Sequence, residues 1–351
     1  MEPLAVEAWD AWFRWRHQGE LRDLTIDSTW SRVADAIAVV EGDAAAIWSQ
    51  RFADAFTDWQ LLPDERLLCH AGTDLPLQLD GAPSAVLNAA AFVRAPLGAQ
   101  PRLDRDRLHS AAALAVRLLD DALLSAPATA PGLRIGLIGV ADALARLGLS
   151  YDSDPGRRQA REIVAALAEG CLWGATALAA ERGGRNLEGS APRWHARETP
   201  SELIADALRW GIRHLELTAV ASQPRLAVFA NNVANALDPT IGRELIPRYA
   251  ALDGLLPAHG AGAIRLRVQP TKTGLATQAP AGTLATVAAR AQIALRAEVQ
   301  PWIDAPIDYP LPALKPPDRF TREHCVALAQ RSGLPSPRWQ LIDSTTPLPG
   351  A

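Results

Sequence analysis

Residues 133–183 read LRIGLIGVADALARLGLSYDSDPGRRQAREIVAALAEGCLWGATALAAERG, and this stretch decides the fold class. The short apolar run from Arg134 to Val140 predicts a strand or buried turn, feeding a helix that ends near Gly148. Gly136 and Gly139 invite a phosphate-loop reading. Neither a GxGxxG fingerprint nor a Walker lysine surrounds them, so close backbone packing is the better account. A long helix follows: Asp154 is placed to cap it and Pro155 is tolerated in its first turn. Ile163, Leu167, Cys171, Ala175 and Leu178 line one face, and Arg182 with Gly183 closes the helix. On that stripe Cys171 is a core residue rather than a chemical one.

Upstream, residues 5–17 place Trp9, Trp12, Phe13 and Arg16 at helical spacing, an aromatic stripe suited to core or docking. Helices are expected near Ser28 to Val40, with Ser28 as N-cap, and near Asp43 to Asp58, packed together through Trp30, Trp48 and Trp59. Pro and Gly spacing breaks helix from Leu61 to about Pro83, and Ser84 to Val93 reads as a short buried strand. Leu108, Ala112, Ala115, Leu119 and Leu123 mark a helix over Asp104 to Leu124, followed by a loop at 125–132.

Downstream, residues 184–200 read as a polar loop before a helix at Ser201 to Trp210. His214 to Ala221 and Leu226 to Ala230 read as strands, Asn231 to Asp238 as a turn and Ile264 to Val268 as a further strand. Helices at Leu284 to Val299 and Thr321 to Gln330 flank a proline-dense extended segment, Pro301 to Pro317. Strands alternating with helices from Ser84 onward argue an α/β fold with mainly parallel strands behind an all-helical N-terminal region.

The 351 residues, 48% of them hydrophobic, suffice for one large core or two smaller ones. No charge-free apolar run reaches the roughly 18 to 20 residues of a membrane span, and MEPLAVEAWD has no basic n-region. A cytoplasmic location is therefore expected. A net charge of −4 offers no footprint for nucleic acid. The three cysteines, Cys69, Cys171 and Cys325, lie far apart without CxxC or metal-ligand spacing, which argues against zinc and disulfides.

Residues 133–183 resemble the large chain of ribonucleotide reductase, most closely the adenosylcobalamin-dependent, class II-like kind. Further segments resemble it in the same order. RFADAFTDWQLLPDERLLCHAGT (51–73) is similar to the family's N-terminal helical region, and LPLQLDGAPSAVLNAAAFV (75–93) to the segment after its radical cysteine. GIRHLELTAVASQPRLAVFANNVANALDP (211–239) is similar to a strand, phosphate loop and turn, and ARAQIALRAEVQPWIDAPIDYPL (289–311) to a late helix and its exit. The implied fold is a helical N-terminal region (1–73), a partial, half-sized ribonucleotide-reductase-type α/β barrel (74–331) and a C-terminal tail (332–351).

The departures fall where the family's chemistry belongs. Its Asn-x-Cys-x-Glu motif, forced onto this chain, lands on His70, Gly72 and Asp74, and a glycine carries no thiyl radical. The redox cysteine that the resemblance places near Pro83 is absent, as are the family's C-terminal cysteines. The substrate-phosphate loop aligns with Gln223, Pro224, Arg225 and Leu226, which lack the small residues that let backbone amides approach a phosphate.

The resemblance thus implies a degenerate, internally truncated and noncatalytic relative that acts by protein association or regulation. Its expected partner is a second copy or a full-length reductase chain, with no cofactor and adenosylcobalamin binding doubtful. The alternative is a small nucleotide-binding protein or enzyme reusing the half-barrel mouth, with His70, Asp74, Ser222, Arg225, Asn231 and Asn232 as candidates. A decaying gene product without a selected role is a third reading. A half barrel also leaves an open apolar face. Wetting about 1,000 Å² of it forfeits about 25 kcal/mol, so the N-terminal tryptophan-rich helices, a second copy or another protein must cover it.

Overall fold

The structure, a computed structural model, describes residues 1–95, 100–126, 132–185, 191–241 and 283–342. The chain opens with α1 (Pro3–Trp12), the short strands β1 (Arg16–His17) and β2 (Glu20–Leu21), α2 (Ile26–Ala38), α3 (Ala45–Thr57), β3 (Leu61–Pro63) and α4 (Glu65–His70). The middle holds β4 (Ser84–Asn88), β5 (Val93–Arg94), β6 (Arg102–Leu103), α5 (Arg105–Ser125), β7 (Arg134–Ile138), α6 (Val140–Arg146) and α7 (Asp154–Arg182). It ends with α8 (Ala191–Ala196), α9 (Ser201–Trp210), α10 (Pro224–Phe229), α11 (Ala289–Val299), β8 (Leu311–Ala313), α12 (Arg319–Arg331) and β9 (Trp339–Leu341).

The sheets are small and open. The central one runs β3-β4-β7. β4 and β7 are parallel, from Ser84 opposite Arg134 to Asn88 opposite Ile138, whereas β3 pairs antiparallel with β4. Residues 216–219 extend the parallel side: Leu133 N donates to Glu216 O at 2.8 Å, Ile135 N to Leu217 O at 2.9 Å, and Ala219 N to Ile135 O at 3.0 Å. The strand expected from His214 to Ala221 is thus a short extended edge rather than a full strand. Gly136 is where it presses closest, since a Cβ there would sit 2.6 Å from Ala219 O. That is the backbone packing its sequence suggested.

The two long helices form the centre of the helical layer. Gly170 and Gly174 of α7 meet α5 backbone to backbone, a Cβ at Gly170 falling 2.3 Å from His109 O and one at Gly174 falling 2.7 Å from Ala113 Cα. Only glycine permits that approach. By length and composition α7 is apolar enough to cross a membrane, yet 72% of its apolar window is buried inside the protein, which makes it a core helix. Cys171 is fully buried on it, and burial pushes its thiol well up.

The N-terminal helices cover the α10 side of the molecule. Phe229, at the end of α10, sits with its ring 5.0 Å from Phe13, 5.3 Å from Trp30 and 5.3 Å from Trp59, so four aromatic residues close one cage. Trp30 also meets Phe56 at 5.4 Å, while Trp48 packs on Phe52 at 6.2 Å. One apolar cluster runs from Trp9 to Tyr309, and a smaller one, containing Cys325, joins α11, β8 and α12.

Several local expectations are corrected. Leu226 to Ala230 is helix α10, not a strand. All six residues of α10 are buried, with Pro224 in the first turn, and a short wholly apolar run carries no period to separate the two states. The region from Leu61 to Pro83 holds α4, capped by Asp64 accepting from Arg66 N at 2.8 Å. Residues 184–200 hold α8. Thr25, not Ser28, caps α2, with Ser28 three residues on as the reciprocal half of a capping box. Ser153, not Asp154, caps α7, and the late helix starts at Ala289 rather than Leu284. The expected buried strand from Ser84 gives way after Asn88 to a 3₁₀ turn, Ala89–Phe92. The strand expected at Ile264 to Val268 and most of the 125–132 loop lie outside the described residues.

Candidate functional site

The resemblance aligned a phosphate loop with residues 223–226, with Ser222, Arg225, Asn231 and Asn232 as candidates, and the structure sets residues 222–238 at the carboxyl end of the parallel strands. Gly139 follows β7 in the left-handed region, at φ +69°, and donates its N–H to Ala234 O at 2.7 Å. Asp142 accepts from Ala234 N at 2.6 Å, and burial pushes its carboxyl up. Tyr151 donates to Leu237 O at 2.6 Å, while the Tyr309 hydroxyl accepts from Leu237 N at 3.1 Å. Both phenols are fully buried and held far above their usual range by burial, hence protonated. Asp238 pairs with Arg296 at 3.2 Å and accepts from Asn235 Nδ2 at 3.0 Å. These bonds fix the turn from several sides.

The predicted site residues are spent within this packing. Ser222 Oγ accepts from Asn235 Nδ2 at 3.2 Å. Arg225 on α10 reaches Glu65 of α4 at 3.4 Å and lies 5.5 Å from the Trp12 ring. Asn231 and Asn232 both adopt left-handed backbone, at φ +69° and +62°. Their side chains hold the chain's own Glu2: Asn231 Oδ1 accepts Glu2 N at 2.6 Å and Asn232 Nδ2 donates to the Glu2 carboxylate at 2.7 Å. Two buried groups of this loop, Arg225 Nε and Asn232 Oδ1, have no partner among the described residues.

The residues at the forced radical motif do not converge on that loop. His70 ends α4, and its carbonyl accepts from Thr73 N at 3.1 Å. Gly72, at φ +71°, would bring a Cβ within 2.8 Å of Arg32 Cγ, so its role is close packing. Asp74 is exposed and accepts from Trp15 Nε1 at 3.0 Å and bonds His17 Nδ1 at 2.8 Å, the tryptophan bond leading in holding its carboxyl below the usual range. Pro83 precedes β4 at the opposite end of the sheet, its carbonyl accepting from Arg134 N at 3.0 Å. Cys69, next to His70, donates to Trp12 O at 3.3 Å. Burial pushes its thiol up to about 12, which leaves no thiolate for nucleophilic work near neutrality.

Sequence reasoning missed a second polar cluster, at the amino end of the strands. Arg182 at the end of α7 bonds Asp120 at 2.5 Å, Asp121 at 2.8 Å and Glu41 at 2.6 Å. Arg117 joins Glu41 at 2.7 Å, while Arg213 and His214 meet Asp120 Oδ1 at 3.0 and 2.7 Å. Burial works to raise the Asp120 carboxyl, but hydrogen bonds from His214, Arg182 and Arg213 win and hold it far below its ordinary range. Asp121, fully buried, goes the other way: burial, with the Glu41 carboxylate beside it, outweighs Arg182 and lifts it to about 7. The helical periodicity of Asp120 and Asp121 was readable, but their partners lie 61 to 94 residues away along the chain.

This cluster borders a cavity of about 570 Å³. The Asp120–His214 pair has the hydrogen bond of an acid–base dyad, but no Ser, Thr or Cys lines that cavity among the described residues. Among the described residues no group of three His, Cys, Asp or Glu side chains is arranged to hold a metal ion.

No family model matches the chain, and no curated protein matches it. Among solved structures it is similar to the Actinobacillus ureae class Id ribonucleotide reductase alpha subunit, with 14% identity, a TM-score of 0.48, and coverage of 74% of this chain and 49% of that one. The chain therefore spans about half the length of that subunit, which is of class Id, and the class II-like kind expected from the sequence is not supported.

Proposed function

We propose that this chain is a noncatalytic relative of the ribonucleotide reductase large chain, a cytoplasmic protein that acts by association with a second copy or a full-length reductase chain. In this reading its helical N-terminal region and partial barrel serve as a scaffold, and it uses no adenosylcobalamin. The observation that carries the reading is the use of the candidate groups inside the fold: Asp74 on Trp15 and His17, Arg225 on Glu65, and Asn231 and Asn232 on Glu2. These bonds to neighbours take up donors and acceptors that a substrate would otherwise use.

The test is mass measurement by size-exclusion chromatography with light scattering, alone and mixed with the host's reductase. A stable dimer or a mixed complex is expected. Nucleotide reduction by the chain, with adenosylcobalamin or with a radical-generating partner, overturns the noncatalytic part. The alternative reading, a nucleotide binder, rests on Arg225 Nε and Asn232 Oδ1, two buried groups of the 222–238 loop without partners among the described residues. A thermal-shift series against nucleotides separates the two: a reproducible rise with one nucleotide favours the binder, and silence favours the scaffold.

A further inference from the structure

We propose that the cavity at the amino end of the sheet is a binding site for an amphiphilic monoanion, a carboxylate carried on an apolar chain. The cavity holds about 570 Å³, within the roughly 300 to 1,000 Å³ of small-molecule sites. Its two sides differ in chemistry.

One side is apolar and open to solvent. Leu123, Leu124 and Leu215 line it, and Leu124 and Leu215 are 51% and 45% exposed, large apolar side chains that the free protein leaves wet. Gly132, at φ +96°, contributes wall without side-chain bulk. An alkyl chain lying here removes apolar surface on both partners from water.

The other side is cationic and largely preset. Arg182, Arg185 and Arg213 line it together with the carboxylates of Asp120 and Glu216. Arg182 is already spent on Asp120, Asp121 and Glu41. Arg213 is anchored, its Nε on Asp120 at 3.0 Å and its Nη1 on the carbonyl of Arg182 at 3.1 Å, so its guanidinium is positioned before any ligand arrives. Neither its Nη2 nor the guanidinium of Arg185 has a partner among the described residues. These unpartnered arginine N–H groups suit a carboxylate, which accepts paired N–H donors in a plane. Inorganic phosphate can meet an arginine fork but has no apolar body for the leucine side.

The experiment is isothermal titration calorimetry of the full chain with decanoate, decanol and acetate, each below any micelle-forming concentration. Decanoate is expected to bind at about 10 to 100 μM, with decanol and acetate each at least about tenfold weaker. Arg185→Glu and Leu215→Glu change exposed positions, so circular dichroism will show a native fold, and each is expected to weaken decanoate by about tenfold or more. Decanol binding as tightly as decanoate, either folded variant binding decanoate like the parent chain, or no heat up to about 1 mM overturns the proposal. The result stands or falls separately from the association reading, which is tested by mass.

Discussion

The two ends of the short parallel sheet use polar residues in opposite ways. At the carboxyl end, the 222–238 loop is held by neutral or singly charged groups, among them Tyr151, Tyr309, Asn235 and the Arg296–Asp238 pair. At the amino end, Glu41, Asp120 and Asp121 crowd around Arg182, and one of the carboxyls titrates near neutrality because burial and its neighbour disfavour its charge. The first arrangement spends its polar atoms on holding a turn. The second keeps charge beside an open cavity.

The largest effect expected is from breaking the carboxyl end. Arg296 is buried, bonds Asp238 at 3.2 Å, donates to Tyr309 O at 2.6 Å and stacks 3.7 Å from the Tyr309 ring. Arg296→Met leaves the Asp238 carboxylate buried without its cation, which costs about 3 to 5 kcal/mol. Chemical denaturation should show that loss, and the double variant Arg296→Met with Asp238→Asn should recover much of it, because the penalty is an orphaned charge rather than lost packing.

At the amino end the expected signature is pH dependence. The Asp121 carboxyl titrates at about 7 in the folded chain, above its unfolded value near 3.9. Its contribution is fully present below the unfolded value and fades as pH rises through 7. About 1.4 kcal/mol should go between pH 6 and 8. Asp121→Asn removes the titration, so the variant's melting temperature should change less over that interval than the parent's. An equal slope in both would mean that Arg182 keeps Asp121 charged, and the contrast between the two ends would weaken.

Helix α7 has one end in each region, and this shows how far the sequence reached. Its apolar stripe, its glycine stop and the core role of Cys171 were legible because they depend on spacing within one element. Its partners were not. Gly170 and Gly174 matter through His109 and Ala113 of α5, and Arg182 through Glu41, 141 residues away. The same limit hid α10: its apolar run fits strand or helix equally, and what decides is the cage of Phe13, Trp30 and Trp59 around Phe229, drawn from three separate places in the chain. The candidate residues of the 222–238 loop were found, but that they are occupied by Glu2 and Glu65 was beyond any local pattern.

The start of α7 gives a smaller test of the carboxyl end. Ser153 Oγ accepts from Gly156 N at 3.1 Å and donates to Ser150 O at 2.7 Å, whereas Asp154 sits within the first turn and is exposed. Ser153→Ala should cost about 1 kcal/mol, a lost cap, and Asp154→Ala a few tenths, a weakened charge-dipole interaction. Thermal unfolding in low salt measures both. The reverse ranking would restore Asp154 as the cap.

The smallest effect separates backbone from side chain at Asn231. Its exposed side chain accepts one hydrogen bond, from Glu2 N, and its backbone sits at φ +69°. Asn231→Gly keeps the left-handed conformation free of strain and loses only that bond, so it should cost about 0.5 kcal/mol or less. Asn231→Ala loses the same bond and also forces a Cβ into the left-handed region, adding about 1 kcal/mol. The difference between the two variants, read from denaturant midpoints, isolates the turn geometry. If alanine and glycine behave alike, the loop can relax around residue 231 and the carboxyl end is softer than its hydrogen bonds imply. If alanine is worse by the full amount, the consecutive asparagines are there for their backbone conformation, and their amides hold Glu2 as a consequence of where that conformation points them.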